Sequence, residues 1–103
     1  MNDEISSSLA LNRLAVVFFK RKKFDLSYLY HGKHAQQAAD SDRFVAIYNA
    51  AISSRLLGEH ERARLEFTEA LNLANSIQDF ESMSLTNGQL AIAYLLKRDL
   101  TNA

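Results

Sequence analysis

The 103-residue sequence predicts an all-α fold in which helical hairpins repeat along a solenoid. Three observations predict it. A short pattern occurs three times: Leu14-Ala15 with Phe18, Phe24 and Ser27; Ala50-Ala51 with Gly58, His60 and Ala63; Leu90-Ala91 with Tyr94, Leu100 and Ala103. The copies begin at positions 14, 50 and 90, offsets of 36 and 40. The chain has no Pro and only 3 Gly, so few strong breakers interrupt it. Its apolar residues fall at helical spacing in successive segments. No single unit of such a repeat has a complete core, which points to a binding surface rather than a catalytic centre.

Residues 1–8 are polar and Ser-rich and read as a flexible lead-in. Ser8 then caps a helix over about 9–21, with Leu11, Leu14, Ala15, Phe18 and Phe19 on one face. Lys22-Lys23 is the turn, and Asp25 caps a second helix over about 26–39 with Leu26, Leu29 and Tyr30 inward. Asp40-Ser41-Asp42 reads as the loop between units, and it caps the third helix. That helix, about 43–57, stacks Phe44, Ile47, Tyr48, Ala51 and Leu56, and Gly58 ends it. The fourth, about 60–76, buries Ala63, Phe67, Ala70, Leu71 and Ala74, with Arg62 and Glu66 spaced as an i,i+4 ion pair. Gln78-Asp79 breaks to a fifth helix, about 80–97, with Met83, Leu90, Ala91, Tyr94 and Leu95 inward and Gly88 close-packed inside it. A sixth helix is expected to start at Asp99. The expected organisation is a domain over 9–103 with units at 9–41, 42–78 and 79–103, the last a half unit.

Composition narrows the function classes. Hydrophobic content of 48% suits a folded domain, and the absence of Cys removes disulfides and thiolate metal sites. The longest apolar run, Leu14 to Phe19, is far too short for a membrane span, so a cytoplasmic location is the expectation. Formal net charge is zero but unevenly spread. Residues 1–34 carry six cations against three anions, and residues 35–103 carry six against nine. A balanced total argues against bulk binding of nucleic acid or an anionic membrane.

The recurring pattern resembles the tetratricopeptide repeat family, in its longer variant of 36 to 40 residues. The small residue of the first helix is met by Ala15, Ala51 and Ala91, and the aromatic three residues on by Phe18 and Tyr94, whereas Ser54 departs. The turn Gly is met by Gly58 alone. The second-helix run Ala, aromatic, Ala is met by Ala63, Phe67 and Ala70, but the first unit has Ser27, His31 and His34 there. The resemblance implies two complete hairpin repeats and half of a third, about five helices. It also implies a non-catalytic adaptor or scaffold that binds a protein or peptide in a concave groove lined by first helices.

Mapped by that register, the groove comprises Asn12, Arg13, Val16 and Lys20; Val45, Tyr48, Asn49, Ile52 and Arg55; and Leu85, Gln89, Ile92 and Leu96. Asn49 stands where the family commonly places a backbone-binding Asn. Leu85 and Gln89 occupy positions where the carboxylate-gripping subclass has Lys and Arg, so capture of a chaperone's C-terminal carboxylate is not expected. A mixed apolar and polar groove suits an extended segment or an amphipathic helix. The half unit leaves Leu90, Tyr94 and Leu96 short of neighbours, which predicts a homodimer through that end.

Other chemistry is weaker. His31 and His34 share a helix face, but a metal site needs a third ligand, and imidazoles satisfied by neighbours are the expectation. No cofactor is expected, and no nucleophile elbow, phosphate loop or zinc motif occurs, so an enzyme is not expected. Lys20-Arg21-Lys22-Lys23 is either a solvated helix end or, in a rival reading, a site for nucleic acid or an anionic surface. A third reading makes the chain a piece of a longer solenoid.

Overall fold

Five α-helices succeed one another: α1 (Asp3–Lys20), α2 (Phe24–Gln37), α3 (Asp40–Leu56), α4 (His60–Ser76) and α5 (Phe80–Asn102). This computed structural model describes the backbone of residues 3–102 and the side chains of residues 9–95. Each helix packs on the next, so α1 with α2 and α3 with α4 form successive hairpins, and α5 lies against α4. The array is flat and elongated, with extents of 54 × 33 × 16 Å. No described helix is long and apolar enough to cross a membrane.

Three of the connecting turns have one design. Lys22, Gly58 and Gln78 all take positive φ, at 61°, 82° and 56°. In each, that residue's N–H bonds back to a carbonyl three residues earlier: Lys22 to Phe19, Gly58 to Arg55, Gln78 to Asn75. The next N–H reaches five residues back: Lys23 to Phe18, Glu59 to Ser54, Asp79 to Ala74. This Schellman arrangement satisfies the last carbonyls of the helix and reverses the chain. Only Gly58 adopts the conformation without a Cβ penalty. Asp79 then caps α5, accepting from the Ser82 N–H at 3.1 Å and from the Ser82 hydroxyl at 2.8 Å. These bonds hold its carboxyl below the usual carboxylate range.

The core repeats with the chain. Second-helix positions 36 apart are buried in both units: Ser27 with Ala63, His31 with Phe67, His34 with Ala70, and Ala38 with Ala74. Phe44 and Ile47 pack on Ala70 and Ala74. Ala51 packs on Ala63 and Phe67, with Ile52 and Leu90 against them. The first hairpin is held by rings, Phe18 stacked on Tyr30 and Phe19 edge-on to Phe24.

The structure corrects several expected boundaries. Helix α1 starts at Asp3, so residues 3–8 are helical and Ser8 lies inside the helix rather than capping it. Asp25 is in the first turn of α2, not at its cap. Asp40, Ser41 and Asp42 belong to α3, and the break falls at Ala38-Ala39. There the two acids favour the positive N-terminal end of the helix dipole without capping it. No sixth helix begins at Asp99, because α5 continues through it to Asn102. Gly88 is inside α5 but is not close-packed, since a Cβ there would meet nothing within 4 Å.

Leu14, Leu29, Leu56, Ala91, Tyr94 and Leu95, expected inward, are exposed. For α1 and α5 the reason is position. Ala46, Ala50 and Ser53 of α3 are buried, and so are Thr86 and Ala93 of α5, because a second helix precedes each. The equivalent Ala10, Leu14 and Val17 of α1 have no such neighbour among the described residues and are exposed. Ala51 is covered by Ala63 and Phe67 of α4, while Ala91, its register equivalent, has no following helix over it among the described residues.

Candidate functional site

The site is built from first-helix residues. Along α3, Val45, Tyr48, Asn49, Ile52 and Arg55 recur at helical spacing, opposite the buried Ala46, Ala50 and Ser53. On this face α1 and α3 enclose a pocket of about 160 Å³, lined by Val16, Phe19, Lys20, Asn49, Ile52 and, from α2, His31. Val16, Lys20, Asn49 and Ile52 were mapped to the groove from sequence, and the fold brings them together. Further along, the Arg55 guanidinium donates a hydrogen bond to the Gln89 side-chain oxygen, linking α3 to α5. These two expected groove residues therefore hold each other.

The remaining expected residues are more scattered. Asn12 is half-buried and Arg13 exposed on α1, without a place in the pocket. Tyr48 is engaged inside the fold, its ring 5.5 Å from that of Phe67 and 5.7 Å from that of Phe44. Val45, Leu85 and Ile92 are exposed. Of the residues expected to self-associate, Leu90 packs against Ala51, Ala63 and Phe67, and Tyr94 is exposed. The side chain of Leu96 lies outside the described residues.

His31 and Phe19 were not expected in the site. His31 is only 2% exposed, and its Nδ1 has no hydrogen-bond partner. Nδ1 of His34 and of His60 is likewise buried and without a partner among the described residues, so at Nδ1 His31 and His34 are not satisfied by neighbours as expected. Burial, with a smaller contribution from His34, pushes the His31 pKa down to about 4, which keeps the ring neutral at pH 7. Among the described residues no group of three His, Cys, Asp or Glu is placed to hold a metal ion. The sequence signal for His31 was its position: it stands 36 residues before Phe67, in place of a core aromatic.

The departure at Ser54 also has a physical account. Its side chain is fully buried and its hydroxyl donates to Glu66 at 2.6 Å and accepts from Arg62 at 3.0 Å. The Arg62 guanidinium lies 4.1 Å from the centre of the Tyr28 ring, which ties α4 to α2 of the preceding hairpin. Burial, with Glu66 beside it, raises the Tyr28 pKa. Arg62 and Glu66 thus meet through Ser54 rather than as the expected direct ion pair. A second polar chain runs from the Ser53 hydroxyl to that of Ser27 at 3.5 Å, and from Ser27 to the Ala15 carbonyl at 2.8 Å.

A larger cleft of about 670 Å³ opens between α2 and α4, floored by Ile47 and Ala50 of α3. Its walls carry Lys33 and Arg43 as well as Glu66 and Glu69, so it selects no one sign of charge. Lys20, Arg21, Lys22 and Lys23 are all exposed at the end of α1 and in the turn after it.

No family model matches the chain, no curated protein matches it, and no solved structure matches its fold.

Proposed function

We propose that this chain is a non-catalytic interaction module of the tetratricopeptide type, which holds a peptide or helix of a partner protein along the face formed by α1, α3 and α5. The observation that carries this reading is the pocket between α1 and α3. Four residues mapped to the groove from sequence line it, and the Asn49 side chain makes no hydrogen bond within the described residues. Apolar walls with a few polar anchors suit a bound segment that supplies its own backbone groups. The test is selection of peptides from a random displayed library on the immobilised chain, then affinity measurements with one recovered peptide. Asn49→Ala is expected to weaken that peptide several-fold and to leave the melting temperature unchanged. Glu69→Ala, in the cleft between α2 and α4, is expected to leave the affinity as it is. Equal affinities for the two variants would remove the groove from consideration.

A second reading, self-association through α5, is favoured by Ala91, Tyr94 and Leu95. These are exposed on α5, where Ala51 of α3 is covered. Light scattering at tens of micromolar decides it. A dimer that persists in high salt and dissociates with Tyr94→Glu supports pairing by apolar burial; a monomer mass for the unaltered chain rules it out.

A further inference from the structure

We propose that the pocket between α1 and α3 is a socket for one acidic side chain, a glutamate of the bound peptide; this rests on the groove reading above. A volume of about 160 Å³ falls below the roughly 300–1,000 Å³ of sites for whole small molecules, and suits a single side chain. Val16, Phe19 and Ile52 provide apolar walls for the methylenes. Among the described residues Lys20 is the one charged residue in the lining, and it begins the run Lys20-Arg21-Lys22-Lys23. No carboxylate of the described residues lines the pocket, so the local field favours an anion. The free amide of Asn49 and the neutral imidazole of His31, buried with its Nδ1 unpartnered, supply further polar groups.

The chain contains its own comparison. The repeat register maps Val16, Phe19 and His31 of this pocket onto Ile52, Arg55 and Phe67, and Asn49 and Ile52 onto Gln89 and Ile92. In that second space Phe67, fully buried, occupies the floor. The Arg55 guanidinium donates to the Gln89 amide across the gap. The protein's own cation and amide are therefore engaged with each other there. In the first space Phe19 stands in place of Arg55 and offers Asn49 no partner, and the smaller ring of His31 replaces that of Phe67. The first space is left open and electropositive, with its amide unused.

A seated carboxylate also acts on His31. The titratable groups around that ring are His34 on its own helix and Lys20 across the pocket from α1; α3 contributes Asn49 and Ile52, neither of which titrates. An added negative charge favours the protonated imidazole, so the His31 pKa rises on binding.

The test is an NMR titration of the full chain with three probes: N-acetyl-glutamate N-methylamide, its glutamine analogue, and N-acetylglycine, which carries only a terminal carboxylate. The glutamate probe is expected to shift the Val16 and Ile52 methyls and the His31 ring, with a dissociation constant on the order of 1 mM for so small a ligand. It is also expected to raise the His31 pKa. The glutamine probe is expected to bind about tenfold more weakly. Lys20→Met, which keeps an apolar stem at an exposed position, is expected to abolish that preference. Equal binding of the glutamine probe, or shifts confined to other residues, overturns the proposal. Binding of N-acetylglycine as tight as that of the glutamate probe also overturns it, since the pocket would then read a chain terminus. Failure of the groove reading shows elsewhere, in selected peptides indifferent to Asn49→Ala, and leaves these titrations unaffected.

Discussion

Replacing His31 with Phe tests the physical account of the first hairpin. The imidazole is 2% exposed with an unpartnered Nδ1, and the equivalent position in the second hairpin is the fully buried Phe67. Burial holds the folded-state pKa near 4, whereas an unperturbed histidine titrates near 6.5. Between those values the unfolded chain binds more protons than the folded one, so stability rises with pH across this window. Conversely, stability from His31 is fully present above about 6.5 and is lost as the pH falls toward 4. A fall from 6.5 to about 4 corresponds to at most about 3 kcal/mol over the whole window, of which about 2 kcal/mol is lost by pH 5. Phe carries no such proton linkage, and it removes a buried unpaired nitrogen that costs about 1–3 kcal/mol at any pH. Urea unfolding of both proteins at about pH 7.5 and about pH 5 separates these effects. Ionisable groups remote from position 31 contribute equally to both proteins and cancel in the difference. His31→Phe is expected to be the more stable at neutral pH, and its advantage is expected to grow by about 2 kcal/mol at the lower pH. Equal losses in the two proteins between the two pH values would refute the assignment of a desolvated, neutral His31.

Other substitutions test the turns, the packing and the buried network. Gly88→Ala is expected to stabilise by about 1 kcal/mol, because the added methyl meets nothing and the helix loses a glycine, whereas Gly58→Ala is expected to destabilise by about 1 kcal/mol at its φ of 82°; thermal melts of the pair should move in opposite directions. Ser54→Ala removes the shared partner of Arg62 and Glu66 and is expected to cost about 1–3 kcal/mol in chemical denaturation, while an unchanged midpoint would mean that solvent replaces it fully. Ala70→Leu, at a position with no exposed surface between α3 and α4, is expected to cost about 1–3 kcal/mol by overpacking, and a neutral result would contradict the core assignment.

Much of the fold was legible because local chemistry and the repeat agreed. Helix α4 runs over the expected 60–76, and Gly58 makes the expected left-handed turn. Ala63, Phe67 and Ala70 are as buried as their spacing implied. The misreadings have a common origin. Asp25, Asp40 and Asp42 are good caps in isolation, yet α2 starts at Phe24 and α3 at Asp40, and acids in a first turn are favourable too. Leu14, Leu29 and Leu56 satisfy an apolar periodicity, but periodicity does not say whether a neighbouring helix is present to cover them. The strained turns at Lys22 and Gln78 carried no glycine to reveal them.

Candidate groove residues were legible only as positions in a register. The register of the family resemblance placed Val16, Lys20, Asn49 and Ile52 on groove-lining helices, but the closeness of α1 to α3 was needed to make them one pocket. Arg55 and Gln89 looked like two more free anchors until the approach of α3 to α5 joined them. His31 and Ser54 read as departures from a pattern. The tertiary structure makes the first a buried pocket wall and the second the centre of a polar network.

The amino-acid order alone specified the all-helical class, the hairpin period and the buried Ala63, Phe67 and Ala70 of the second hairpin. These properties depend on a period of 3.6 residues and on turn chemistry, both written within a few neighbouring positions. Only the tertiary structure decided which apolar faces are covered, which polar side chains find partners, and that Arg55 and Gln89 bridge one interval of the array while a pocket opens in the other. Those outcomes depend on side chains far apart in the chain, such as Arg55 and Gln89, meeting across helices. A hydrogen bond acts only within about 3 Å, so no local pattern in the chain encodes whether it forms.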